Sequence, residues 1–154
     1  MKKIILVSAI LGLFLMSCSS KSSTAEQEAA DEATVKENPV SNLDGIWELN
    51  YISGPKIAFE GLYPDKKPFL SFNTGEGRVS GNSGCNSFTG NASISTNRFR
   101  VDENLAMTKM FCPGEGENNF MESLKKVNTY SISDEGKTLN LIMGDIAIMR
   151  FSKK

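Results

Sequence analysis

The 154-residue sequence contains no histidine. That absence excludes the Ser-His-Asp and Cys-His pairs of nucleophilic hydrolases, His-ligated zinc, and an imidazole base working near neutral pH. Net charge is a second shortage, with 17 Lys and Arg against 18 Asp and Glu. Residues 45–154 hold 13 basic and 12 acidic side chains, so the basic footprint of a nucleic-acid binder is missing and no nucleic acid is expected as a partner. Long apolar runs are scarce too. Residues 4–16 form the longest, broken by Ser8 and Gly12, and it is too short to span a bilayer as a permanent helix. What is present is a 40% hydrophobic composition with nine Phe and one Trp, which suffices for a packed core and argues against wholesale disorder. The length suits one modest domain with appendages.

Lys2 and Lys3 ahead of that apolar stretch have the build of an export signal. Leu15-Met16-Ser17-Cys18 resembles the lipobox of bacterial lipoproteins, in which a small residue precedes a cysteine at the cleavage point. The resemblance implies a diacylglyceryl group on Cys18, cleavage of the bond before it, and usually acylation of the freed amine. Each buried methylene contributes about 0.8 kcal/mol, so two or three acyl chains hold a protein at a membrane almost permanently where one does not. Residues 1–18 are therefore read as a lipoprotein signal peptide and lipobox, the alternative being an ordinary export signal that ends near a cysteine. Ser19 stands where an Asp, by resemblance to Gram-negative lipoproteins, would suggest retention in the inner membrane, so the expected location is the cell envelope at the outer membrane. In residues 19–42, Val35 and Val40 are the only large apolar side chains. Such a stretch cannot offset its ordering entropy and reads as a flexible tether.

Residues 43–152 carry the regular patterns. Alternation in 45–52 predicts a strand with Trp47, Leu49 and Tyr51 on one side and Ile46, Glu48, Asn50 and Ile52 on the other. Further strands are predicted over 69–72, 77–81, 92–95, 99–101, 105–110, 129–133, 138–143 and 146–151, separated by Gly and Asn turns. Phe120, Met121, Leu124 and Val127 recur with helical period, with Glu115 and Glu117 ahead of them and Lys125 and Lys126 at the end, as the helix dipole favours. The predicted class is β-dominated α+β: a curved antiparallel sheet or partly open barrel with one helix packed across it.

The densest run is Gly81-Asn82-Ser83-Gly84-Cys85-Asn86-Ser87-Phe88-Thr89-Gly90. A nucleophilic role for Cys85 lacks a histidine base, whereas glycines and asparagines suit a sharp corner between strands. With Cys18 assigned to the lipid, Cys85 and Cys112 form an even pair in an oxidising compartment, either bonded to each other or buried as separate free thiols. Neither reading implies a metal, and no cofactor is expected. The pairs Asp102 and Glu103, and Asp134 and Glu135, lack the geometry for acid-base work, because neighbouring residues on a strand point to opposite faces and those on a turn are solvated. Phe59, Leu62 and Tyr63, in a loop between strands, either line an entrance or pin that loop to the core. Met107 and Met110 read as core filler.

The series Leu43-Asp44-Gly45-Ile46-Trp47-Glu48-Leu49, then Gly77-Arg78-Val79-Ser80-Gly81 leading into Gly84-Cys85-Asn86-Ser87-Phe88-Thr89-Gly90, then Met107-Thr108-Lys109-Met110-Phe111-Cys112, and finally Glu117 with Phe120 and Leu124, resembles the META domain of the heat-shock protein HslJ family. The resemblance implies a curved, partly open barrel crossed by a helix, an envelope-stress role, and no catalytic residue. It marks Gly81, Gly84, Cys85, Asn86, Thr108, Met110 and Cys112 as fold-defining. The expected function is that of a lipid-anchored, non-catalytic envelope protein binding a protein partner or an apolar ligand. The alternatives are an assembly factor or inhibitor acting through an exposed sheet edge, and a carboxylate-dependent hydrolase.

Overall fold

The computed structural model describes residues 40–154. The signal segment, Cys18 and nearly all of the expected tether lie outside the described residues. A short 3-10 turn, Ser41–Leu43, leads into strand β1 (Gly45–Ile52), and the Trp47 indole N–H donates to the Leu43 carbonyl at 2.7 Å, fixing that entry. Trp47 and Leu49 point into the core as their alternation predicts. Tyr51 does not: an irregularity between Leu49 and Tyr51 in the pairing with the C-terminal strand shifts the phase, so Ile52 turns inward and Tyr51 outward.

A one-turn helix α1 (Phe59–Leu62) lies within the long connection to β2 (Phe69–Asn73). Then follow β3 (Arg78–Asn82), β4 (Ser87–Ile94), β5 (Phe99–Val101), β6 (Ala106–Met107), α2 (Gly116–Lys126), β7 (Thr129–Ser133), β8 (Thr138–Met143) and β9 (Ile146–Lys153). The strands form one antiparallel sheet in the order β5-β4-β3-β2-β1-β9-β8-β7, with β6 added beside β4. Pairing of β1 with β9 joins the two ends of the described chain. The sheet curls until its outer strands meet at a single bridge, Arg98 with Thr129, flanked by bonds from Phe99 N to Asn128 O and from Tyr130 N to Asn97 O. The result is a nearly closed barrel.

Aromatic side chains fill its interior. Phe72 meets Phe99 edge to face at 5.2 Å, and Phe120 on α2 touches Phe88 on one side and Phe151 on the other. Helix α2 buries Phe120, Met121 and Leu124, the face its period predicts. Burying each such side chain contributes about 1.5–3 kcal/mol, which is what fastens the helix across the barrel.

Candidate functional site

At the end of β3, Asn82 is buried and its side chain shapes the following turn: Oδ1 accepts from the Gly84 N–H, and Nδ2 donates to the Cys85 carbonyl, both at 3.0 Å. Gly84 has φ +97°, and a Cβ there would stand 2.8 Å from the Tyr63 ring, so only glycine suits the position. Gly81 is required for a different reason: its missing side chain lets β3 approach β2, where a Cβ would run into the Phe69 carbonyl oxygen. The corner is tighter than the sequence suggests. It occupies residues 83–86 alone, and Ser87 to Gly90 already belong to β4.

Asn86 is the hub. Its Oδ1 accepts from the Met110 N–H at 2.8 Å, and its Nδ2 donates to the Met110 carbonyl at 3.1 Å, so the side-chain amide pairs with that backbone as a neighbouring strand would. The same Oδ1 accepts from Thr108 Oγ1 at 2.8 Å, and Thr108 Oγ1 in turn accepts from the Ser87 N–H at 3.0 Å. This substitution of side chain for strand explains why the predicted strand 105–110 shrinks to Ala106–Met107. Glu117, in the first turn of α2, closes the network: Oε2 accepts from Ser83 Oγ at 2.5 Å and from the Asn86 backbone N–H at 3.1 Å, while Oε1 accepts from Asn86 Nδ2 at 3.2 Å. The sequence places Glu117 at a helix start and in the family-like series, but neither its contact with the Asn86 turn nor the part of Ser83 is legible there. No spacing rule exposes a carboxylate that folding brings against a turn more than thirty residues earlier.

Cys85 and Cys112 are joined by a disulfide, with Cα atoms 6.0 Å apart. Both sulfurs lie near the Glu117 carboxylate, but sulfurs bonded to each other supply neither a nucleophile nor a thiolate ligand, so the trio has no metal-centre chemistry. Beside the disulfide is a cleft of about 100 Å³ bordered by Tyr63, Lys66, Ser83 and Glu117, room for a few waters only. Burial pushes the Tyr63 phenol up to about 12, and its hydroxyl donates to the Gly116 carbonyl at 3.0 Å. Leu62 and Tyr63 are core residues and Phe59 packs against them, so this segment pins its loop to the core.

The clamp holds up an apolar loop. Phe111 is 92% exposed and Met110 60% exposed, although the backbone of both is fixed between Asn86 and the disulfide. Met110 is thus no core filler: Asn86 binds its backbone and its side chain is left outside. Met107 does pack partly against the core. A shallow groove of about 400 Å³ adjoins, lined by Phe88, Ala106 and Met107 with Ser87, Thr89 and Thr108. Asp102 and Glu103 are exposed just beyond β5, and Asp134 and Glu135 are exposed in the β7–β8 turn with φ near +50°, so both pairs are solvated.

Comparison with known proteins bears on the whole fold. No curated protein matches the chain. A solution structure of a protein from Burkholderia xenovorans is similar, with a TM-score of 0.59 at 21% identity over 76% of this chain and 88% of that one. A second solution structure gives a TM-score of 0.50 at 22% identity, covering 75% of this chain and 92% of the other. A crystal structure of a DUF4847 family protein from Bacteroides vulgatus follows at a TM-score of 0.49 and 13% identity, over 73% and 94% of the two chains. At these identities the likeness concerns the fold alone. The META domain family model matches residues 41–154, a span that takes in every strand, the Asn86 clamp and α2, and the chain therefore belongs to the META domain family.

Proposed function

We propose that this is a lipid-anchored envelope protein, held at the outer membrane through Cys18, whose META domain is a non-catalytic module that binds a protein partner through the Met110–Phe111 loop. The observation that carries the reading is a large aromatic side chain, Phe111, held almost wholly in solvent on a backbone that a disulfide and Asn86 both immobilise. An apolar anchor on a preorganised loop suits recognition, since little ordering entropy remains to be lost on binding. The barrel interior beneath α2 is occupied by Phe88, Phe120 and Phe151, which favours a protein partner over an enclosed apolar ligand. A second reading, an assembly factor or inhibitor engaging a sheet edge, draws on β6: among the described residues it pairs only with β4. The stress role implied by the family resemblance fits either.

A photocrosslinker at position 111 of the full-length anchored protein should give one discrete protein adduct that weakens with Met110→Ser and does not form from the exposed position of Glu60. Adduct formation from position 106 but not 111 would favour the edge reading. No adduct from either sinks both. Palmitate labelling should be lost in Cys18→Ala, and labelling retained there would reject the anchor.

A further inference from the structure

The barrel seam between β5 and β7 collects positive charge that no ion pair among the described residues neutralises. Phe99 and Val101 of β5 point into the core, so Arg98 and Arg100 project outward, two residues apart on one face. The sheet register sets a hydroxyl opposite each: Ser93 on β4 pairs with Arg100, and Thr129 pairs with Arg98 across the seam. These four residues and Asn128 line a cleft of about 380 Å³ with no carboxylate in its wall. The two ion pairs among the described residues, Lys126 with Glu122 and Lys154 with Glu48, involve neither arginine. Asp102, the next outward residue of the chain, pairs with neither guanidinium and does not line the cleft. Asn128 Oδ1 accepts from the Gly144 N–H at 3.3 Å, which leaves its Nδ2 hydrogens available.

Every one of these groups is a donor or carries a hydroxyl able to donate. Two guanidiniums side by side repel each other when nothing lies between them, and a planar guanidinium matches the oxygens of a phosphoryl group two at a time. We propose that the β5–β7 seam is a binding site for a phosphate group, held between Arg98 and Arg100 with Ser93, Thr129 and Asn128 completing the shell. This site is separate from the Met110–Phe111 loop and does not depend on the reading given for it. Phosphate-monoester headgroups of lipids and free phosphate share the chemistry.

The test is calorimetric titration of full-length protein in neutral detergent, with inorganic phosphate in one arm and dihexanoyl phosphatidic acid in the other, at constant ionic strength set with chloride. Saturable binding is expected, with Arg98→Gln/Arg100→Gln weakening it at least tenfold and Lys125→Gln/Lys126→Gln, at the nearby end of α2, changing it less than twofold. Because both arginines are exposed, the double variant should keep the fold, checked by the emission of buried Trp47. Tighter binding of the lipid analogue assigns the site to a headgroup; equal affinity assigns it to free phosphate or a soluble ester. Absent saturation, or an equal loss in the lysine variant, overturns the proposal, the second by showing diffuse charge instead of a site.

Discussion

Tyr63 shows how a single side chain can tie a connecting loop to the core and register pH while doing so. Its ring fits between two glycines, since a Cβ at Gly84 or at Gly116 would come within 2.9 Å of it, and its hydroxyl reaches the Gly116 carbonyl at the start of α2. Burial favours the neutral phenol and pushes it up from 10 to about 12. A group whose folded value is raised contributes its full stability below the unfolded value and loses it as pH climbs through the folded one. Stability should therefore hold up to about pH 10 on this account and fall between pH 10 and 12. Tyr63→Phe should be less stable at pH 8 by about 1 kcal/mol for the lost hydrogen bond, yet decline less over the alkaline range. Tyr130, also raised by burial, is present in both proteins and cancels in the comparison. Urea midpoints at pH 8, 10 and 11.5 decide it, and parallel curves for the two proteins would reject the role given to Tyr63.

At the scale of elements, the loop carrying Met110 and Phe111 is held by two clamps of different kinds, one covalent and one a side-chain amide. The disulfide closes a loop over a sequence separation of 27, which on the chain-entropy model contributes roughly 3 to 4 kcal/mol. Reduction should lower the unfolding free energy by about that much, while the hydrogen bonds from Asn86 keep the Met110 amide protected from exchange. If that amide exchanges freely once the bond is reduced, Asn86 alone does not hold the loop. The same elements show what the sequence discloses. Strands such as 129–133 and 138–143 are legible because turn residues bound them and a regular alternation runs through them. The first half of β4 was not, because Ser87, Thr89 and Gly90 have the composition of a corner and owe their strand to pairing with β3. The candidate site was half legible: Cys85, Asn86, Thr108 and Cys112 stand out as a motif, but the convergence of Ser83 and Glu117 on Asn86 is long-range and leaves no local pattern. Arg98 and Arg100 carry no local signal in the sequence; only the seam places Thr129 and Asn128 beside them.

For the molecule as a whole, the continuity of the sheet depends on β9, which lies between β1 and β8. Its Phe151 faces Leu49 on β1 and Leu139 on β8 and touches Phe120 of α2, all four fully buried. It is where the two halves of the sheet and the helix share one contact. Because β1 and β9 come from opposite ends of the domain, their pairing is formed against the full loop-closure entropy of the chain, and nothing local compensates when the contact is weakened. Phe151→Ala should then cost about 3–5 kcal/mol, a large fraction of the 5–15 kcal/mol typical of a whole domain. Phe111 is chemically the same residue in the opposite setting. At 92% exposure it buries almost nothing, and Phe111→Ala should change stability by no more than about 0.5 kcal/mol. Urea unfolding followed by the emission of Trp47, which is fully buried beside β9, measures both. A cost above about 1 kcal/mol at position 111 would mean that the ring packs onto the domain in solution and is not offered to a partner. A near-zero cost there, beside a large one at 151, leaves binding as the physical reason for keeping an aromatic ring in water.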